Sequence, residues 1–198
     1  MPPTRRQLLK GLSAVLGTAA FAQVAGCSRD VDVALDYTPA GDADGRSGRL
    51  FSTDALRVLH DVCAQVIPTT DTPGAHELDV HGFIDNQLFH CYDAEAQALA
   101  VQLLDAIDAG ARARYGAPFA EAGHDAQLAL LTDLERAGGG FTQAQRQQFK
   151  HLKNLVVFGY LTTEVGGTQL LAWDPFPGGF RGSVPYASVG RAWLGNVT

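Results

Sequence analysis

The chain has 198 residues, 15 Lys+Arg against 21 Asp+Glu and a formal net charge of −6, with 46% hydrophobic residues. An acidic chain without a basic cluster excludes a nucleic-acid binder and electrostatic attachment to anionic lipid. Three cysteines without C-x-x-C spacing exclude an iron–sulfur cluster, and the absence of C-x-x-C-H excludes covalent haem.

The first element is an address rather than a structural helix. Arg5 and Arg6, followed by Leu8, Leu9 and Lys10, precede the small-residue apolar run Gly11 to Ala25. Twin arginines before such a run are read by the Tat export system, which moves proteins that have already folded. At roughly 15 residues the run is shorter than a membrane span, so residues 1–26 read as a Tat signal peptide. Val24-Ala25-Gly26-Cys27 resembles a lipobox, in which Cys27 carries a diacylglyceryl group and the product is a periplasmic, membrane-anchored lipoprotein. The alternative is cleavage after Ala20-Phe21-Ala22, which leaves Cys27 a thiol. Residues 1–26 hold three basic residues and no acidic one, so their removal leaves 12 against 21 and a net charge of −9. Residues 27–49, rich in Asp, Gly and small polar residues, read as the lipidated terminus and a linker, with the domain over 50–198.

From Leu50 onward the periods are helical. Ser52 or Thr53 caps a helix over 54–67 with Leu56, Leu59, Val62, Cys63, Val66 and Ile67 on one face, stopped by Pro68. Asp79 caps a second over 80–92, where Phe83, Ile84, Leu88 and Cys91 share a face. Asp93 caps an alanine-rich run to Tyr115, ended by Gly116 and Pro118. A shorter helix covers 125–137, and Thr142 with Gln145 forms a capping box for a helix running to Gly166-Gly167. That helix is apolar nearly all round over Leu155 to Leu161, which places it centrally. The expected fold is all-α, a small bundle of about five helices, followed by an irregular Pro/Gly/aromatic-rich segment. In that segment Trp173, Phe176, Phe180, Tyr186 and Trp193 supply rigid contact area of the kind that anchors interfaces. The exposed Pro-Gly loop Pro68 to Leu78 is a second candidate contact. Cys63 and Cys91 form either a disulfide made after export or two free thiols.

Folded export usually accompanies a cofactor, yet no G-x-G-x-x-G follows a strand and no strand–helix alternation exists for a dinucleotide or flavin site. His76, His81 and His90, with Asp79 and Asp85, are the metal-ligand candidates, but without a one-face ligand spacing. His60 and His151 sit near apolar helix faces. Ser183 and Ser188 have no visible base, and Asp105 with Asp108 reads as a solvated face. The sequence therefore offers no catalytic, cofactor-binding or metal residue, and the export signal makes sense if a cofactor-bearing partner crosses with this chain.

The segment "VCAQVIPTTDTPGAHELDVHGFID", Val62 to Asp85, resembles the Ile-Pro…Pro-Gly-Ala…Phe-Ile-Asp pattern of the gluconate 2-dehydrogenase subunit 3 family. "GYLTTEVGG…LLAWDPFPGGFRG", Gly159 to Gly182, is similar to its C-terminal Asp-Pro-x-Pro-Gly pattern. The resemblance implies a non-catalytic small subunit of a periplasm-facing, FAD-dependent sugar or sugar-acid dehydrogenase. It implies a large flavoprotein partner of the glucose-methanol-choline oxidoreductase type, matured and co-exported with this chain. A cytochrome c subunit carrying haem is a further implied partner. The family offers no catalytic residues to transfer. The alternative is a stand-alone exported lipoprotein, metal-binding through His76, His81 and His90 or acting as a scaffold.

Overall fold

The computed structural model describes residues 48–172, 183 and 185–192, all within one compact unit, Pro39–Thr198. The expected signal arginines Arg5 and Arg6, Cys27, and Trp173, Phe176, Phe180 and Trp193 lie outside the described residues.

The first helix, α1 (Thr53–Val66), starts where the Ser52 hydroxyl accepts the Ala55 N–H at 3.2 Å. Leu56, Leu59, Val62 and Cys63, at helical spacing, are its buried stripe. Helix α2 (Val80–Cys91) follows the Pro-Gly loop, and α3 (Ala94–Tyr115) begins at Asp93, whose carboxylate accepts the Ala96 N–H at 2.8 Å. Gly116 ends α3 at φ 75°, a left-handed value that favours glycine. A 3-10 turn over Phe119–Glu121 leads to α4 (His124–Glu135). The capping box is present in α5 (Gln143–Thr162): Gln145 N–H donates to the Thr142 hydroxyl at 3.2 Å, and Thr142 N–H to Gln145 Oε1 at 2.8 Å. A π-helical turn over Gly166–Leu170 and the single-turn α6 (Tyr186–Val189) complete the described elements, among which there is no strand.

Helix α1 packs on α2 and α3, α2 on α5, and α3 and α4 on α5. Leu59, Val62, Ile84, Ile107, Phe119, Leu134 and Val156 are fully buried where these faces meet. Each such side chain contributes about 1.5–3 kcal/mol of transfer free energy. The α2–α5 crossing is close because α5 has Gly159 there: a Cβ would lie 2.9 Å from Phe83 Cδ1 and from Val80 Cγ1. Gln97 ties the next corner, its amide donating to the carbonyls of Leu88, Phe89 and Tyr92 at the end of α2.

Several expectations from the sequence are corrected. Asp79 precedes α2 but makes no side-chain cap. It sits at φ 53° with its carboxylate 3.3 Å from His81 Nε2. Cys91 is exposed rather than on the buried face, with its thiol 3.5 Å from Gln87 Oε1, and Cys63 is fully buried. The two are free thiols in this structure, one of the two alternatives the sequence leaves open. Helix α4 stops at Glu135, and α5 leaves the α-helical path at Thr163, giving way to the π-helical turn. Structure also begins ahead of Leu50, since Gly48 and Arg49 are already built into the bundle.

Candidate functional site

The Pro-Gly loop between α1 and α2 is held at its base. Ala75 N–H donates to Ile67 O at 3.0 Å, and the buried Tyr160 of α5 donates its hydroxyl to Pro73 O at 3.1 Å and meets the Thr72 hydroxyl at 3.0 Å. Glu77 folds back to accept the Thr69 hydroxyl at 2.7 Å and the Gly74 N–H at 2.6 Å. The Thr69 hydroxyl first, and then the Gly74 N–H, hold the Glu77 carboxyl below its ordinary range. Pro68 to Asp71 at the tip remain exposed, as does Glu77.

This fixed loop brings three imidazoles together. His60 of α1 makes edge-on ring contacts with His76 of the loop (centroids 5.2 Å apart) and His81 of α2 (5.1 Å). Two carboxylates join them: His60 Nδ1 lies 2.8 Å from Asp61 Oδ1, and His81 faces Asp79. His81 and Asp79 are 5% and 2% exposed. His76 Nδ1 is buried without a hydrogen-bond partner among the described residues. The left-handed backbone at Asp79 is the kind of local strain that a surrounding structure must impose. Beside the junction a cleft of about 500 Å³ opens between α1, α3 and the 3-10 turn, with His60 and His81 in its lining. Asp54, Asp61, Asp108 and Glu121 line it against Arg57 and Arg112, so its walls are mixed in charge.

The predicted histidine set is thus rearranged. His76 and His81 meet His60 rather than His90, whose Nε2 lies 2.7 Å from Arg49 Nη1. Asp85 serves backbone N–H groups instead. Among the described residues no group of three His, Cys, Asp or Glu is placed to hold a metal ion. Cys63 beneath the junction is no nucleophile: burial first, then the Asp79 and Asp61 charges, push its thiol well above the ordinary range and keep it protonated. His60 was missed as a member because its partners arrive through the reversal of the chain at the loop, which helical spacing does not encode.

The second feature is apolar. Val157 and Phe158 on α5 are 43% and 41% exposed, and the Phe158 ring lies 6.2 Å from that of Phe83. The sequence places this part of α5 centrally. Its inner face is buried through Val156, Gly159 and Tyr160, while the opposite face stays open. A groove of about 270 Å³ lined by Leu88, Leu99, Leu103, Leu152 and Leu155 lies between α2, α3 and α5. Of the five expected interface aromatics, Tyr186 is described: it is 72% exposed, with its hydroxyl on Gly190 O at 3.0 Å. Ser188 donates its hydroxyl to Pro185 O. Asp108 accepts the Phe119 N–H and pairs with Arg112, a structural role.

One family model, described as gluconate 2-dehydrogenase subunit 3, matches residues 53–178. No curated protein and no solved structure matches the chain.

Proposed function

This chain belongs to the gluconate 2-dehydrogenase subunit 3 family, and on that premise we propose that it is the non-catalytic small subunit of a periplasm-facing, FAD-dependent sugar or sugar-acid dehydrogenase. In this reading it assists maturation of a flavoprotein large subunit of the glucose-methanol-choline type and takes that subunit through the Tat system on the Arg5-Arg6 signal. FAD, and haem c where a cytochrome subunit is present, belong to the partners. Cys27 anchors the complex to the membrane through lipid.

The observation that carries the reading is the family match over α1 to α5 and beyond, which names a dehydrogenase subunit. Two adjacent, partly exposed apolar side chains on an otherwise well-packed helix, Val157 and Phe158, support it, because exposed apolar patches mark interaction sites. Val157 and Phe158, with Trp173, Phe176, Phe180, Tyr186 and Trp193, are the residues assigned to the large subunit. The test is affinity purification of the tagged chain from its native host with mass spectrometry and a visible spectrum. A large oxidoreductase with a flavin band is expected, and a colourless, solitary chain refutes the reading.

A further inference from the structure

Asp85 lies on α2, 4% exposed, and both its carboxylate oxygens are engaged by the chain ahead of α1. Oδ2 accepts the Arg49 N–H at 2.6 Å, and Oδ1 accepts those of Leu50 and Phe51 at 3.0 and 2.9 Å. Gly48 N–H donates to Phe51 O at 2.9 Å and closes the turn, while the Phe51 side chain is 2% exposed in the core. The approach is close enough that a Cβ on Gly48 would lie 2.4 Å from Asp85 Oδ1 and 2.7 Å from its Cγ. A carboxylate buried this deeply is stable only with its donors in place. The donors, in turn, are three successive amides that converge on one point only when α1 and α2 are packed. Residues 48–51 therefore close onto α2 only once α1 and α2 are packed.

We propose that residues 48–51 and Asp85 are a fold-dependent latch on the chain that carries the export signal. The latch is open while the bundle is incomplete and closed once it is finished, so the chain upstream leaves from a fixed point only on a folded domain. The coupling to export rests on the reading of Arg5 and Arg6 given above; the latch itself does not. Trypsin reads it directly, because the Arg49–Leu50 bond lies inside the latch and the Arg46–Ser47 bond precedes it. In the full chain, cleavage at Arg49–Leu50 is expected to be at least about tenfold slower than in Asp85→Asn and Gly48→Ala, at unchanged helical circular dichroism. Equal cleavage in all three overturns the latch. Amide exchange in the wild-type protein gives the same answer without a variant: slow exchange at Arg49, Leu50 and Phe51 is expected, and exchange at the rate of an open chain refutes it. Fractionation of the host then tests the coupling, with a reduced exported share of Gly48→Ala expected and an unchanged share overturning it. If the Arg5→Lys, Arg6→Lys chain is exported like wild type, the export reading fails while the protease result stands.

Discussion

Tyr160 shows how one residue joins distant parts of the chain: its ring is buried in the bundle and its hydroxyl holds the carbonyl of Pro73. Tyr160→Phe keeps the ring and loses that bond, so unfolding by denaturant should show a loss of about 1 kcal/mol. Gly159→Ala should be worse, about 1–3 kcal/mol, because its methyl has no room beside Phe83 and Val80. The thiols give a chemical check. In a Cys27→Ser chain one thiol, Cys91, should react with Ellman's reagent in the native protein and two after denaturation, since Cys63 is buried and protonated. A reading of zero thiols in the denatured, unreduced protein would mean the disulfide exists. The burial of Cys63 was legible from its place on the apolar stripe of α1, whereas its pairing with Cys91 was not, because periodicity carries no information about the distance between cysteines on different helices.

At the scale of elements, caps and periods were the legible part. Asp93 and the Thr142–Gln145 pair mark two helix starts to the residue, and Ser52 is one of the two caps the sequence offers for α1, because side-chain capping is local chemistry. Asp79 reads the same way in sequence and behaves differently, because the buried His81 competes for its carboxylate. The loop between α1 and α2 depends on pH through Glu77. Its folded-state value is lowered, so its contribution is present above the ordinary value of 4.5 and is lost as pH falls through the lower folded value. Protection of the amides between Thr69 and Gly74 against exchange, relative to their intrinsic rate at each pH, should therefore fall on acidification below the ordinary value of 4.5, and Glu77→Gln should abolish that dependence. On α5 the outer face has the opposite signature: Val157→Ser with Phe158→Ser should leave the midpoint of thermal unfolding within a few degrees. The same pair should reduce recovery of the large subunit at least about tenfold in affinity purification.

For the whole molecule, the all-helical class and the family were both readable from the chain, whereas the assembly of His60 with His76 and His81 required the tertiary reversal. The proposed export is tested at this scale as well. Arg5→Lys with Arg6→Lys should leave both this chain and the dehydrogenase activity of its partner in the cytoplasm, as cell fractionation would measure. Partner activity persisting in the periplasm would separate the two proteins. The loop pinned by Tyr160 and Glu77 has a thermodynamic consequence for any such encounter. Its exposed tip, Pro68 to Asp71, stands on a base already fixed by folding, so a partner docking there immobilises little new backbone. Association through the tip is then a meeting of preformed surfaces, with a rate set by diffusion and orientation and nearly independent of any refolding of the loop.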